Sequence, residues 1–150
     1  MIELRESEPR PQILLADDHP VILANLCRLA ETVGQVVGAV SDGRVAVEES
    51  LRLHPDVVVL DIMMPEVDGI RTARKLRQGL PECRIIMCSM YTNSELIAEA
   101  FSAGAVGFVR KQSAYSDLAP AIRAALAGET FVSPSLLHNT APPQKNGASG

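Results

Sequence analysis

Five short apolar runs, each rich in β-branched residues, alternate along the chain with segments in which apolar residues recur every three or four positions. Such runs are typical of strands buried on both faces, because helices cover both sides of a parallel sheet. Connections between parallel strands are right-handed, so five such units predict an α/β fold, a doubly wound five-stranded (βα)5 sheet. The predicted strands are Ile13–Ala16, Val36–Val40, Val57–Leu60, Ile85–Cys88 and Val106–Val109.

The segments between these runs carry the 3.6-residue apolar spacing of amphipathic helices. The spacing predicts a weak inward stripe in the second helix, made of Val47, Ser50, Leu51 and His54. We expect Asp42 and Asn93 to cap two helices at their N-termini, and Ser116 or Asp117 to cap the last one. Pro120 would then lie in the first turn of that helix, where its missing N–H costs no hydrogen bond.

The length of 150 residues is the common size of a single domain. Both ends of the chain are polar and contain prolines, whereas the apolar runs are confined to the middle. We therefore predict an N-terminal tail over residues 1–11, one domain over 12–132, and a linker or tail over 133–150.

Composition excludes several classes of function. The net charge of −4 disfavours binding of nucleic acid by this chain through its overall field. No apolar stretch approaches the roughly twenty residues that a membrane span needs, and the acidic N-terminus does not resemble a signal peptide. The three cysteines, Cys27, Cys83 and Cys88, have no C-x-x-C spacing, which predicts buried free thiols. These features predict a cytoplasmic protein.

Charged and hydroxyl side chains follow four of the predicted strands. Asp17 and Asp18 follow the first strand, Asp61 the third, Ser89 the fourth and Lys111 the fifth. The carboxyl ends of parallel strands meet at one edge of a sheet, so these side chains are expected to converge there. Clustered carboxylates repel one another, and a divalent ion that prefers oxygen ligands, such as Mg²⁺, would neutralise them.

Four of these five residues also have a simpler interpretation. Asp18 and Asp61 could cap helices, Lys111 could be a solvated surface lysine, and Ser89 could close a turn. Helix capping does not explain why an ammonium and a hydroxyl follow the neighbouring strands. The arrangement as a whole therefore favours a functional cluster.

The elements of this pattern occur in a fixed order over about residues 12–130: Asp17-Asp18, Leu60-Asp61-Ile-Met-Met-Pro65, Asp68-Gly69, Ser89 and Lys111. In that order they resemble the receiver domain of two-component response regulators. Two longer stretches, Leu15–Pro20 and Ala121–Pro134, are similar to the NarL/FixJ (LuxR-type) subfamily. The resemblance implies a flavodoxin-like sheet with the strand order 2-1-3-4-5.

The resemblance also implies roles for individual residues. Asp61 would be the phosphoacceptor, taking a phosphoryl group from a sensor histidine kinase. Lys111 would pair with the phosphoryl oxygens, and Ser89 would hydrogen-bond to them. Ser89 and Phe108 would form the switch that reports phosphorylation, although Ser89 replaces the commoner threonine and Phe108 the frequent tyrosine. The chain would then be a regulatory phosphoacceptor that assists its own phosphorylation and dephosphorylation, and not an enzyme.

A bound metal, Mg²⁺ or Mn²⁺, is implied by the same resemblance. Its ligands would be the side chains of Asp18 and Asp61 and the backbone carbonyl of Met63, while Asp17 would act through a water molecule. A carboxylate is an adequate nucleophile when a metal and a cation take up charge on the transferring group.

In the NarL/FixJ subfamily a helix-turn-helix domain normally follows the linker. The resemblance therefore implies control of transcription through an output domain missing from this chain, with DNA bound only through that domain. It also implies no membrane association and a homodimer formed on phosphorylation. A stand-alone receiver that docks to a partner protein is the alternative.

Two further functions fit the residues less well. A haloacid-dehalogenase-like phosphohydrolase would need a second acid two residues after the nucleophile, where this chain has Met63. A receiver that serves only as an interaction module would not need a full set of chemically competent residues, and this chain carries all of them.

Overall fold

The computed structural model describes residues 9–140 and contains one parallel sheet. Its strands are β1 (Gln12–Ala16), β2 (Gln35–Val40), β3 (Val57–Leu60), β4 (Arg84–Ser89), β5 (Ala105–Arg110) and β6 (Phe131–Val132). They pair in the order β2-β1-β3-β4-β5-β6. The five predicted strands and their order 2-1-3-4-5 are confirmed, and β6 is an additional strand beside β5.

Helices connect the strands in a regular alternation. They are α1 (Pro20–Ala30), α2 (Gly43–Leu53), α3 (Gly69–Gly79), α4 (Ser94–Ser102), α5 (Ala114–Leu126) and α6 (Pro134–Thr140), with a 3-10 turn over Lys111–Ser113. Among the described residues, no helix combines the length and apolar character needed to cross a bilayer.

The hydrophobic core has two halves, one on each face of the sheet. Successive strand residues point to opposite faces, so Ile13 and Leu15 of β1 pack under α1 and α5. Leu14 and Ala16 pack on the other face, under α2, α3 and α4. Because both faces are covered, the strands appear in the sequence as continuous apolar runs.

Side chains cap three of the helices at their N-termini. Asp42 and Asn93 each accept the backbone N–H three residues further on, at 2.8 Å, which confirms both predicted caps. Asp68 caps α3 in the same way at 2.9 Å. Each cap contributes about 1 kcal/mol to the stability of its helix.

The predicted start of the last helix is wrong. Helix α5 begins at Ala114, so neither Ser116 nor Asp117 is its N-cap, and Pro120 lies well inside the helix. A proline there removes one backbone hydrogen bond and crowds the preceding turn. Burial of the apolar face of α5, which includes the fully buried Leu118, outweighs this cost.

The predicted inward stripe of α2 is also partly wrong. Ser50 is buried as expected, but Leu51 is exposed, and the buried face consists of Gly43, Ala46 and Ser50. Small residues occupy this face because the helix lies very close to its neighbours. A Cβ atom on Gly43 would lie only 1.8 Å from the carbonyl oxygen of Val67.

The ordered structure continues past residue 132. The Ser133 N–H donates to the Phe108 carbonyl at 3.0 Å, and the Ser133 hydroxyl accepts the Arg110 N–H at 2.9 Å. Leu136 of α6 is buried in the half of the core that contains Phe108. Ser133 and Leu136, which the sequence assigns to the linker, are therefore part of the packed domain. The rest of the predicted tails, 1–8 and 141–150, lies outside the described residues.

Candidate functional site

The carboxyl ends of three strands bring two aspartates and a lysine together. Ala16 of β1 is in register with Leu60 of β3, so Asp17 and Asp61, which directly follow these two strands, lie side by side. The Asp61 N–H donates to the Ala16 carbonyl at 2.9 Å and fixes this register. Lys111 follows β5 directly and reaches the same edge.

Lys111 contacts both aspartates. Its Nζ lies 2.7 Å from Asp17 Oδ2 and 3.1 Å from Asp61 Oδ2. The side chains of Lys111, Asp17 and Asp61 are 7%, 0% and 5% exposed, so the three charges form a buried cluster. This lysine is not a solvated surface residue.

The rim of the cluster is formed by Asp18 and His19. The Asp18 side chain is 33% exposed, and His19 Nδ1 lies 3.1 Å from Asp18 Oδ1 and 3.6 Å from Asp17 Oδ1. One possible ligand atom from each of Asp17, Asp18, His19 and Asp61 can be chosen so that all four lie within 4.8 Å of one another. No role for His19 was predicted from the sequence, although its position directly after two acids was an available signal.

Burial and charge set the pKa values of the cluster. Burial is the main cause that raises the pKa of Asp61; the positive charge of Lys111 opposes it, and the negative charge of Asp17 adds to it. For Lys111, burial lowers the pKa, but contacts with Asp17 and Asp61 together outweigh burial and raise it. Lys111 is therefore an ammonium at neutral pH, and the charged form of Asp61 is destabilised in the folded protein.

This raised pKa predicts that Asp61→Asn stabilises the metal-free protein at about pH 7, by on the order of 1 kcal/mol in the free energy of unfolding. A carboxyl group whose pKa is higher in the folded state holds its proton more tightly there. The destabilising effect of the ionised Asp61 carboxylate is therefore absent below the pKa of the unfolded state, near 3.8. It is complete above the raised pKa of the folded state. Denaturant unfolding of both proteins at about pH 4 and pH 7 tests this, and an equal gain at both pH values would contradict it.

The loop after β3 holds Asp61 in place. The Met63 N–H donates to Asp61 Oδ1 at 3.4 Å, and the Gly69 N–H donates to the Ile62 carbonyl at 2.8 Å. A Cβ atom on Gly69 would lie 2.3 Å from the Asp61 carbonyl oxygen, so only glycine allows this approach. The Met63 side chain is exposed, and its backbone stays next to the Asp61 carboxylate.

The two predicted switch residues lie on neighbouring strands. Ser89 is the last residue of β4 and is fully buried; its hydroxyl accepts the Tyr91 N–H at 2.9 Å. Phe108 of β5 is fully buried in the half of the core under α2, α3 and α4. In register, Phe108 is opposite Met87 and Ser89 is opposite Arg110, so the two residues belong to one strand pair.

All three cysteines are free thiols, as predicted. Cys88 is buried, whereas Cys27 and Cys83 are only partly buried. Burial is the main cause that raises the pKa of Cys83 and of Cys88 to about 12. Both thiols are therefore protonated at neutral pH and poor nucleophiles, although Cys88 directly precedes Ser89.

The fold and the site together define a class of protein. Its members have a doubly wound parallel sheet with a buried lysine and an acidic cluster at the carboxyl edge. The model of the response regulator receiver domain family matches residues 13–123, and the chain belongs to this family. The resemblance found in the sequence is thus confirmed, and the phosphohydrolase alternative is excluded.

Individual relatives narrow the class. The chain is 36% identical over 122 residues to the transcriptional activator protein ExaE of Pseudomonas putida, covering 80% of this chain and 57% of ExaE. A LuxR-family response regulator from Aurantimonas sp. SI85-9A1 superposes with a TM-score of 0.82 at 35% identity, over 86% of this chain and 94% of that one. The chain also superposes on the isolated REC domain of RcsB from Salmonella enterica serovar Typhimurium, determined with the phosphomimetic BeF3⁻. The TM-score is 0.79 at 27% identity, over 86% of this chain and 97% of that one.

These similarities confirm a receiver domain of the NarL/FixJ (LuxR-type) subfamily. The chain spans less than two thirds of the length of the first curated relatives that it matches.

Proposed function

We propose that Asp61 accepts a phosphoryl group from a sensor histidine kinase in the cytoplasm, and that this modification controls transcription. The observation that carries the proposal is the buried contact of 3.1 Å between Lys111 Nζ and Asp61 Oδ2, within a cluster that holds more acids than bases. The transcriptional activator among the relatives supports the proposed output.

The donor set fits Mg²⁺, an ion that prefers carboxylate and carbonyl oxygens and keeps several waters. Asp18 and Asp61 would supply carboxylate ligands, and Met63 its backbone carbonyl. Both oxygens of Asp17 are already engaged, Oδ2 by Lys111 and Oδ1 by a backbone N–H at 2.8 Å, which favours its action through a water molecule. Three carboxylates against one ammonium leave the negative charge that a divalent cation would neutralise.

The proposed phosphoryl transfer is a displacement at phosphorus. An Asp61 oxygen forms the new bond to phosphorus while the bond from phosphorus to the kinase histidine breaks, and its electron pair remains on the imidazole nitrogen, which takes up a proton. Bound Mg²⁺ would neutralise charge on the phosphoryl oxygens. Lys111 supplies a second positive charge, and the Ser89 hydroxyl can turn its proton toward a phosphoryl oxygen while still accepting the Tyr91 N–H.

The surface beside the site supports docking of a protein donor. An open cleft of about 450 Å³ lies between α1 and the start of α5, and Lys111 is among its lining residues. Two of the lining residues, Met90 after β4 and Tyr115 on α5, have exposed side chains that are largely apolar. We propose that the kinase domain contacts this surface, because its phosphohistidine must come within reach of Asp61.

A small phosphodonor tests the proposed function without the kinase. Acetyl phosphate with Mg²⁺ should add a single phosphoryl group, seen by intact-protein mass spectrometry, and EDTA should prevent it. The added group should survive acid and be lost in base, as an acyl phosphate is. No addition at saturating donor and Mg²⁺ would overturn the proposal.

Asp18→Asn should weaken Mg²⁺ binding at least tenfold, or about 1.4 kcal/mol, because it removes a charged ligand. Asp18 is partly exposed, so the change should leave the fold intact. Isothermal titration gives the affinity, and Glu82→Gln, an exposed acid at the opposite edge of the sheet, is the control. Equal affinity of the Asp18→Asn variant and the parent would contradict the ligand assignment.

A further inference from the structure

We propose that His19 is a metal-selecting residue: its Nδ1 would join the acidic cluster as a ligand for first-row transition-metal ions, whereas Mg²⁺ would bind without it. The proposal deepens the proposed metal site and rests on it. It goes beyond that site because it names a nitrogen ligand and a second class of cation.

The separations of the ligand atoms support this role. Two atoms that bind one metal ion at about 2.1 Å and at right angles are about 3.0 Å apart. His19 Nδ1 and Asp18 Oδ1 are 3.1 Å apart, which matches this separation. One ion can therefore contact the imidazole and Asp18 with little rearrangement.

The local backbone restricts where the imidazole can lie. Pro20 follows His19 and disfavours helical backbone at His19, whose φ and ψ are −100° and 111°. The His19 N–H donates to Asp17 Oδ1 at 2.8 Å and attaches this residue to the cluster. The side chain is 64% exposed, yet its Nδ1 faces the carboxylates, so the ring is both positioned and open to incoming ions.

The chemistry of the ligands explains the selectivity. Imidazole nitrogen is a good ligand for Ni²⁺, Cu²⁺ and Zn²⁺; affinities for such sites rise along the first transition row to Cu²⁺ and fall again at Zn²⁺. Mg²⁺ prefers oxygen ligands and retains its waters, so an added imidazole contributes little to its binding affinity. His19 should therefore raise the affinity for transition metals selectively.

The alternative is that His19 makes only an ion pair or hydrogen bond with Asp18. In that case its replacement would change the affinities for Mg²⁺ and for a transition metal by the same factor, through the local charge alone. The ratio of the two affinities distinguishes the explanations.

Isothermal titrations of the whole chain with Ni²⁺ and with Mg²⁺ provide the test. His19→Gln should weaken Ni²⁺ binding about tenfold or more and change Mg²⁺ binding less than about threefold. The control is His54→Asn, which replaces a histidine at the C-cap of α2, where asparagine tolerates the left-handed backbone (φ 52°). It should leave both affinities unchanged. Broadening of the His19 ring signals by Ni²⁺ in NMR spectra should accompany binding.

The titrations distinguish a failure of the His19 proposal from a failure of the proposed metal site. An unchanged Ni²⁺ affinity in His19→Gln, or equal losses for both ions, would overturn the role of His19 while leaving the Mg²⁺ site intact. If Asp18→Asn also left both affinities unchanged, the proposed metal site itself would be wrong.

Discussion

Asp61→Asn should abolish phosphorylation of this chain by small phosphodonors and by a kinase. The substitution keeps the size of the side chain but replaces the carboxylate, the proposed nucleophile, with an amide that cannot form a stable acyl phosphate. The Asp61 N–H to Ala16 bond is a backbone contact and is retained. The expected result is no detectable phosphoryl addition by mass spectrometry at donor and Mg²⁺ concentrations that label the parent fully.

Asp68→Asn is the matched control for this prediction. Asp68 lies in the same loop and caps α3, and asparagine caps helices about equally well. That variant should be phosphorylated like the parent. Full labelling of Asp61→Asn, at one group per chain, would show that another residue is the acceptor.

Gly69→Ala should cost about 2–3 kcal/mol in the free energy of unfolding and slow phosphorylation at least tenfold. The added methyl group would lie 2.3 Å from the Asp61 carbonyl oxygen and 2.8 Å from Ile62 Cα. Both contacts are to backbone, which cannot move aside as a side-chain end can. Relief of these contacts requires a shift of the loop that carries Asp61, the proposed acceptor, so stability and phosphorylation should be lost together.

Gly79→Ala, at the other end of α3, is the control. Its added methyl group would meet only the Leu51 side chain, at 3.1 Å, and Leu51 is exposed and able to move. We expect unchanged phosphorylation and a stability equal to or slightly above that of the parent. Denaturant unfolding and the rate of labelling measure both variants, and equal behaviour of the two would show that the contact at Gly69 is unimportant.

The five strands and the residues at their ends were predictable because apolar runs alternate regularly with helical spacing, whereas the strand order 2-1-3-4-5 came from the resemblance to receiver domains. The run Val57–Leu60 is wholly apolar and rich in valine, which favours a buried strand, and the parallel arrangement then fixes which edge Asp17, Asp61 and Lys111 share. The caps at Asp42 and Asn93 were predictable for a similar reason, since each precedes an apolar stripe by a fixed distance.

Features set by packing were not predictable. Strand β6 has only two residues, too few to show a period, and α6 begins at Pro134 directly after Ser133, two residues that also suit a linker. The inward face of α2 is made of small residues that carry no hydrophobic signal, since close approach decides their burial. The position of His19 Nδ1 beside Asp18 depends on a side-chain torsion, which no spacing pattern records.

Strand β6 also closes an edge of the sheet. Without residues 131–133, β5 would expose unpaired backbone groups to solvent at Phe108 and Arg110, where pairing and the Ser133 bonds now satisfy them. An open, apolar strand edge is a template for pairing with another molecule. A fragment shortened to residue 130 would therefore tend to aggregate edge to edge, even with Asp61 and its neighbours correctly placed.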